Sequence, residues 1–407
     1  MPRTLQEAQA LDAEDPLRSY RERFVIDDPD VIYLDGNSLG RLPRDTVGRV
    51  GDVLDRWASE LVIAWQEGWL HSGLEIGDAL APLIGAGSGE VAVCDQTSVN
   101  LYKLATAALA SSGRGDIVTD AGNFPSDRYV LDAVAAAAGG SLRIVAEDPD
   151  AATVAAALDD GVGLVSLTHV AYRSGALLDM EGITAATRDA GAHSLWDLAH
   201  SAGSAPVDLR AAGVDLAVGC TYKYLNAGPG APGYLYVRRD LQTRLDPPIH
   251  GWFAHADQFA FSSEFVAAGD IRRFMVGTPP ILSMVGVAVG VALVAEAGLD
   301  ALVAKSRALS TGFLEDIAAA PIEVVSPRDP TARGSHVAVR HPAAWQVCQA
   351  LLAKGIIVDY RAPDLIRFGF APLYTTHVET WAAATALGAE LATGAFTELP
   401  EQRTLVT

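Results

Sequence analysis

The sequence predicts an α/β protein with a mainly parallel seven-stranded sheet, helices on both faces and a smaller α+β domain. Three observations lead to this prediction. Of the 407 residues, 50% are hydrophobic and only 20% are charged, so the chain can bury a large core. Between Glu90 and Arg238, short β-rich runs alternate with alanine-rich helical stretches. After residue 305 the pattern changes to mixed short elements, and we place the large domain at 46–285 and the small domain at 1–45 and 286–407.

The runs between Glu90 and Arg238 have the length and β-branched content of strands. The strands are predicted at Val91–Cys94, Asp116–Val118, Leu142–Val145, Gly163–Leu167, His193–Leu198, Leu216–Gly219 and Tyr234–Val237. The stretches between them are long enough for the crossover helices that parallel strands require. These helices are predicted at Val99–Ala110, Asp127–Ala138, Ala151–Leu158 and Glu181–Ala190.

The C-terminal part begins with a long apolar helix predicted near residues 281–305. Its apolar run, 281–295, is too short and too soon followed by Glu296 to cross a bilayer, so we expect a buried helix. The elements beyond it predict the small domain, which the N-terminal arm also joins. They are expected at Ile322–Val325, His336–Arg340, Ala343–Lys354, Ile356–Val358 and Leu365–Phe368.

Charge and cysteine content limit the function classes. The formal net charge is −20, which argues against a surface for nucleic acid or anionic membranes. The three cysteines are far apart and have no CxxC or Cys/His spacing, so neither a disulfide framework nor a zinc site is predicted. The histidines form no HExxH or facial-triad pattern, so we expect no metal. The N-terminal segment lacks the apolar core of a signal peptide, and a cytoplasmic location is expected.

The segment 196–230 places polar residues at the ends of two apolar strands, where open α/β sheets bind ligands. Asp197 ends one strand, and a buried carboxylate there needs a facing cation such as a protonated pyridine nitrogen. Lys223 follows the other strand, between Tyr222 and a Gly-rich turn, and a desolvated lysine amine can attack an aldehyde. With His200 upstream, this pattern predicts that Lys223 holds pyridoxal 5'-phosphate (PLP) as a Schiff base. A solvated lysine in a Gly-rich loop is the alternative.

Three further groups of side chains have both a structural and a functional interpretation. Thr97 and Ser98 begin a predicted helix, where they either bind a phosphate or form a plain N-cap. The ring of Phe124 suits stacking on a flat cofactor, and Asp127 is able to cap the helix that follows. Arg367 leaves an apolar strand and is expected to point inward, where its partner is a substrate α-carboxylate or a structural carboxylate.

Segments along nearly the whole chain resemble kynureninase, a fold type I PLP enzyme that hydrolyses kynurenine to anthranilate and alanine. A PLP-lysine motif alone is shared by many families, whereas this combination in this order is specific. The resemblance implies a PLP-dependent transferase-like fold type I and a homodimer with a shared active site. The segments are IYLDGNSLG at 32–40, DQTSVNL at 95–101, NFPSD at 123–127, WDLAHSAG at 196–203, TYKYLNAGPG at 221–230, HGWFAH at 250–255, GTPPIL at 277–282 and IRFGFAPLY at 366–374.

The resemblance also implies a role for each matching residue. Lys223 is implied to be the Schiff-base lysine, Asp197 the partner of the pyridine nitrogen and Tyr222 a phosphate ligand that relays protons. The remaining roles fall into three groups. Cofactor contacts are implied for Thr97, Ser98, Phe124, Asp127, Thr168 and His200, contacts from the neighbouring subunit for Trp252 and Thr278, and substrate contacts for Arg367, Ser38 and Trp65.

Several functions stay open from the sequence. A Trp at position 65 and a Thr at position 278 fit members that prefer kynurenine over 3-hydroxykynurenine. The alternatives are a hydrolase of 3-hydroxykynurenine or of another β-acyl alanine, a cysteine desulfurase-like lyase, and a non-catalytic protein of the same fold. The desulfurase branch needs a reactive thiol on a mobile loop, whereas Cys94 and Cys220 end strands and Cys348 lies in a helical pattern.

Overall fold

The computed structural model describes residues 2–402. Its α-helices are α1 (Leu5–Glu14), α2 (Arg44–Glu60), α3 (Ser72–Leu80), α4 (Thr97–Ser112), α5 (Pro125–Ala137), α6 (Ala151–Ala156), α7 (Met180–Asp189), α8 (Ile281–Ala297), α9 (Leu299–Asp316), α10 (Ala344–Leu352) and α11 (His377–Thr393). Its strands are β1 (Ile32–Tyr33), β2 (Val91–Val93), β3 (Asp116–Asp120), β4 (Leu142–Val145), β5 (Val162–Thr168), β6 (His193–Asp197), β7 (Leu216–Gly219), β8 (Tyr234–Val237), β9 (Glu323–Val324), β10 (His336–Arg340), β11 (Ile356–Ile357), β12 (Asp359–Arg361) and β13 (Leu365–Gly369).

The main sheet has seven strands in the order β2-β8-β7-β6-β5-β3-β4. All neighbouring strands from β7 to β4 pair in parallel, and β8 is antiparallel to both of its neighbours. Because parallel neighbours require crossover connections, α5, α6 and α7 link successive strands of this part of the sheet. The predicted mainly parallel seven-stranded sheet is confirmed.

Helices cover both faces of the main sheet. From Leu164 onward, the apolar side chains of β5 alternate between two hydrophobic clusters, as the two-residue period of a strand requires. Val165 and Leu167 belong to a cluster that includes side chains of α7 and α8. Leu164 belongs to a second cluster that includes side chains of α4 and α5. Strands buried on both faces explain the nearly continuous apolar runs in the sequence.

A second sheet lies in the C-terminal part, with the antiparallel order β12-β13-β10-β9. It shares a third hydrophobic cluster with side chains of α9, α10 and α11. The N-terminal arm contributes to the same region, because β1 pairs in parallel with β11. The domain bounds 46–285 and 286–407 stay a prediction. Across the proposed boundary, side chains of α8 from Met284 to Val294 pack in the cluster of the main sheet.

The prediction of a single apolar helix near 281–305 is wrong, because the structure has two helices there. The chain turns by 83° between α8 and α9, and Gly298, with a φ of 79°, occupies the break. This left-handed region favours glycine, so the backbone at 298 ends one helix before the other begins. Within residues 2–402, a membrane span would need α8 and the bent α9 together, since neither helix alone meets the requirements of length and hydrophobicity.

Candidate active site

A cavity of about 400 Å³ lies where the parallel strands of the main sheet end. Asp197 is the last residue of β6, Thr168 is the last residue of β5, and Lys223 lies in the loop after β7. The structure therefore brings together most of the residues predicted from sequence. Those that line the cavity are Ser38, Thr97, Ser98, Phe124, Asp127, Thr168, Asp197, His200, Tyr222, Lys223 and Arg367.

The amine of Lys223 contacts a buried imidazole. Lys223 Nζ lies 2.9 Å from His200 Nε2. Burial, followed by the positive charge of Lys223, holds the pKa of His200 well below its usual value. The imidazole is therefore neutral, and Nε2 accepts a hydrogen bond from the lysine amine. The lysine is partly buried in the cavity, so the alternative of a fully solvated loop lysine is wrong.

Two buried carboxyl groups, those of Asp127 and Asp197, lie next to each other in the cavity wall. Asp197 Oδ1 accepts a hydrogen bond from the backbone N–H of Ala199 at 2.8 Å. Asp127 lies in the first turn of α5, where its side chain hydrogen-bonds to Asp197. Burial, followed by the charge of Asp197, holds the pKa of Asp127 well above its usual value. Asp127 therefore carries the shared proton, and it does not cap α5, whose N-cap residue is Phe124.

The N-terminus of α4 opens into the same cavity. Its N-cap residue, Gln96, makes no side-chain capping hydrogen bond, and Thr97 and Ser98 are the first two residues of the helix. The plain N-cap interpretation of these hydroxyl residues is therefore wrong. A Cβ added to Gly233 would lie 3.0 Å from the backbone nitrogen of Thr97, so the neighbouring loop approaches this helix end closely. Free N–H groups at the positive end of a helix dipole suit a phosphate.

Aromatic side chains form one wall of the cavity. The ring of Phe124 is 41% exposed, which leaves a face available to a ligand. It meets Tyr172, which also lines the cavity, edge to face with a 5.2 Å distance between ring centroids. Tyr172 was not predicted from the sequence, because it follows β5 in a loop without a recognisable motif. Thr168 donates a hydrogen bond from its hydroxyl to the backbone oxygen of Val170 at 3.2 Å.

The sequence left two alternatives for Arg367, a substrate carboxylate or a structural carboxylate as its partner, and the structure has features of both. It lines the cavity, and it also forms a buried ion pair with Asp359. Its Nε donates to Asp359 Oδ2 at 2.6 Å, and its Nη1 donates to the backbone oxygen of Tyr172 at 2.7 Å. Nη2 lies 3.3 Å from the hydroxyl of Ser38. Sequence reasoning missed Asp359 and the neighbouring Arg361, because their strand, β12, has only three residues.

Trp65, Trp252 and Thr278 do not line this cavity. They lie together around a second cavity of about 530 Å³, whose wall also contains Val62 and Phe259. Trp252 is 43% exposed, and Thr278 is exposed as well. The residues that the resemblance assigns to the neighbouring subunit, together with Trp65, are thus grouped at the surface of one chain.

The residues of the first cavity fit PLP. A helix N-terminus without a side-chain cap matches the phosphate, and a lysine amine matches the aldehyde. The buried carboxyl pair matches a protonated pyridine nitrogen: burial raises the pKa of Asp197, and a facing cation would stabilise its ionised form. The exposed face of Phe124 matches the flat ring.

Known proteins are similar to this chain in sequence and in fold. The family model "Kynureninase C-terminal domain" matches residues 302–387. A kynureninase from Burkholderia pseudomallei (strain 1106a) is 43% identical over 398 residues, and one from Pseudomonas fluorescens is 42% identical over the same length; each match covers 95% of both proteins.

Solved structures of other PLP-type enzymes share the fold. The cysteine desulfurase CsdA from Escherichia coli has a TM-score of 0.80 at 17% identity, covering 93% of this chain and 98% of that one. A C-DES variant, with glycine covalently linked to its PLP cofactor, has a TM-score of 0.78 at 19% identity, covering 88% and 97%. At these identities the likeness shows the fold alone, which confirms the predicted fold class.

Proposed function

The chain belongs to the kynureninase family, and on this premise we propose that the cavity around Lys223 is where it hydrolyses L-kynurenine to anthranilate and L-alanine. PLP is the cofactor of this reaction. The observation that carries the proposal is the convergence of Lys223, Asp197 and Arg367 on one cavity. They supply an amine for the cofactor aldehyde, a carboxylate for the ring nitrogen and a guanidinium for the substrate carboxylate.

PLP, when bound, supplies an electron sink for negative charge at the substrate carbon that carries the amino group. The chain supplies the charges that this role requires. Asp197 would hold the ring nitrogen in its protonated form, and Asp127, whose pKa is held well above its usual value by burial, would support Asp197 without adding a second charge. Thr97 and Ser98, with the N–H groups that begin α4, are proposed to hold the phosphate.

Lys223 has two proposed tasks. Its amine attaches the cofactor, and after the substrate amine displaces it, the same nitrogen removes the proton from the substrate Cα. The hydrogen bond from Nζ to the neutral imidazole of His200 fixes the direction of the amine. Tyr222, adjacent in sequence and in the same cavity, is proposed to contact the phosphate and to relay protons in later steps.

The carbon–carbon bond breaks after water adds to the γ-carbonyl of the substrate. The carbonyl carbon then leaves as the carboxyl group of anthranilate, and Cβ gains a proton to complete L-alanine. Arg367 and Ser38, which line the cavity 3.3 Å apart, are proposed to hold the substrate α-carboxylate during this sequence.

A homodimer with a shared site is proposed as the active assembly. Large apolar side chains are exposed around the second cavity and the adjoining groove of about 680 Å³, among them Trp57, Val62 and Leu282. Contiguous exposed apolar surface of this kind is typical of an interface between proteins. We propose that this surface contacts a second copy and that Trp252 and Thr278 reach the partner's cofactor site, which is the role that the resemblance implies for them.

The cysteine desulfurase branch has no support from the thiols. Cys94, Cys220 and Cys348 are all buried, and burial raises the pKa of each thiol, in the case of Cys94 to about 11. A nucleophilic cysteine requires an accessible thiolate. The similarity to desulfurases therefore extends to the fold and not to a reactive thiol.

Location and pathway complete the proposal. We propose that the protein is cytoplasmic and takes part in tryptophan catabolism, because its cysteines are free and its substrate derives from tryptophan. Kynurenine rather than 3-hydroxykynurenine is the proposed preferred substrate, since Trp65 and Thr278 match the kynurenine-preferring type and lie in one cavity.

The test is an assay of the purified protein reconstituted with PLP. L-Kynurenine and 3-hydroxykynurenine are added in turn. The aromatic product of each, anthranilate or 3-hydroxyanthranilate, is followed together with the absorbance of bound PLP. We expect the protein to release anthranilate from kynurenine. We also expect kcat/KM to be higher for kynurenine than for 3-hydroxykynurenine. Bound PLP without release of anthranilate would retain the cofactor assignment and refute the substrate.

A further inference from the structure

Arg367 alone offers a substrate carboxylate little free hydrogen-bonding capacity. The side chain is buried, and its guanidinium donates to Asp359 through both Nε and Nη2. Nη1 donates to the backbone oxygen of Tyr172, and Nη2 also lies near Ser38 Oγ. A guanidinium has five N–H donors. Since Asp359 already occupies its bidentate edge, a second carboxylate at Arg367 has to share that cation with Asp359 or find another one.

Arg361 is a second cation in the same place. It lines the cavity with Arg367, and its Nη2 lies 3.2 Å from Asp359 Oδ2 and 3.4 Å from Ser38 Oγ. Its Nε is buried and has no hydrogen-bond partner within the part of the chain that the structure describes. A buried, charged N–H without a partner is costly, so an anion that enters this cavity gains by accepting from it.

The strand register explains why these groups meet. Asp359 and Arg361 are two residues apart on β12, so both side chains leave the same face of the sheet. Arg367 on β13 lies directly opposite Asp359 in the antiparallel pair. A single carboxylate thus lies between two guanidinium groups, and this arrangement is set by backbone pairing rather than by flexible loops.

The charge balance at this end of the cavity favours one additional anion. Two arginines face Asp359, and the other nearby carboxyl group belongs to Asp35. Burial, followed by the charge of Asp359, raises the pKa of Asp35 to about 7, so this group does not offset the second arginine fully at neutral pH. The cluster therefore carries a positive excess next to the cavity.

We propose that Arg361 is a second substrate-binding residue, which receives the substrate α-carboxylate together with Arg367, and that Asp359 positions both guanidinium groups. The inference rests on the proposed function, because it names a further contact for the same substrate. It assigns a specificity role as well: the site distinguishes a free α-carboxylate from an amide or ester through two cations rather than one.

The experiment uses the PLP-loaded protein and two ligands that differ only in the carboxyl group, L-alanine and L-alaninamide. Calorimetric titration of the wild type, Arg361→Gln and Arg361→Lys gives the dissociation constants. For Arg361→Gln we expect L-alanine to bind about tenfold or more weakly and L-alaninamide to change less than about twofold. Arg361→Lys should recover part of the loss, because it retains the charge. The KM of Arg361→Gln for L-kynurenine should rise by a similar factor while kcat changes less.

Arg173→Gln is the matched control, since Arg173 is a partly buried arginine that donates to the backbone oxygen of Ala362 next to this strand but does not line the cavity. It should leave both dissociation constants unchanged. Equal weakening of L-alanine and L-alaninamide by Arg361→Gln, or no change in either, would overturn the inference. A wild type that binds L-alanine but releases no anthranilate would instead refute the proposed function, so the two failures are distinguishable. PLP absorbance and the thermal unfolding midpoint of each variant show that it is folded and loaded.

Discussion

Lys223 Nζ lies 2.9 Å from His200 Nε2, and the buried imidazole is neutral. A neutral acceptor orients the lysine amine without competing for its proton. Lys223 lies in the loop after β7, and His200 lies in the loop after the neighbouring strand β6. The loop after one strand therefore orients the amine that the loop after the next strand provides.

Replacement of Lys223 by Ala is expected to abolish hydrolysis of kynurenine and the visible absorbance of lysine-bound PLP, because no other amine replaces Nζ in attachment or proton removal. His200→Gln keeps a hydrogen-bonding side chain and should retain bound PLP with reduced kcat. Both variants are measured by absorbance and by release of anthranilate. Near-normal turnover of Lys223→Ala would contradict the assignment of the lysine.

Asp197 and Asp127 should respond differently to removal of a carboxyl group. Asp197→Asn removes the charge that keeps the ring nitrogen protonated, and kcat is expected to fall by about 100-fold or more. Asp127→Asn replaces a protonated acid by an amide of the same shape, which still donates to Asp197, so we expect a loss of less than about tenfold. Steady-state kinetics and PLP affinity check this order. A larger loss in Asp127→Asn would show that Asp127 carries the charge.

The buried carboxyl group of Asp35 should make the protein less stable as the pH rises. Its pKa is raised to about 7 in the folded protein, whereas the ordinary value is 3.8, so between these values the folded state holds a proton that the unfolded state has released. The free energy of unfolding therefore falls as pH rises from about 4 to 7, and the full penalty is present above pH 7. Asp35→Asn should raise the thermal unfolding midpoint by a few degrees at pH 8 and by much less at pH 5.

Asp27→Asn is the control for this prediction, because Asp27 is exposed in the same N-terminal arm and the substitution removes the same charge. Its unfolding midpoint should follow the wild type at both pH values. An equal shift in the two variants would mean that net charge, rather than the burial of Asp35, causes the effect.

The shared site can be tested by mixing two inactive variants. Lys223→Ala loses its own amine, and Trp252→Ala combined with Thr278→Ala loses the groups that are expected to reach the partner's cofactor. If each site combines both surfaces, dissociation and reassociation of the two variants should restore roughly a quarter of wild-type activity, since half of the dimers are mixed and each has one intact site. Sedimentation analysis reports the dimer. No recovery in mixtures that form mixed dimers would contradict a shared site.

The strands of the main sheet and most of the cavity were predictable from sequence because both depend on local patterns. Each strand is a short apolar run, and residues such as Asp197 and Lys223 stand at or just after the ends of such runs. The prediction of one long helix near 281–305 was wrong because the backbone conformation at Gly298 separates the apolar helix α8 from the more polar helix α9. Helix α11 was missed although Thr376 and Glu379 form a capping box, a signal that the sequence does contain.

The contacts around Arg367 were not predictable in the same way. Its ion pair with Asp359 depends on the register of β12 and β13, and β12 was absent from the prediction because three residues give no periodicity. The grouping of Trp65 with Trp252 and Thr278 depends on tertiary structure, since these residues are far apart in the chain.

The hydrogen bond from Arg367 Nη1 to the backbone oxygen of Tyr172 links the four-stranded sheet to the main seven-stranded sheet, because Arg367 belongs to β13 and Tyr172 follows β5. A substrate whose carboxylate rests on Arg367 and whose amino group reaches Lys223 therefore spans the same two sheets. The relative placement of these two sheets therefore sets the separation between the groups that meet the substrate's amine and its carboxylate. A change in the packing of one sheet on the other, even far from the cavity, would alter substrate binding.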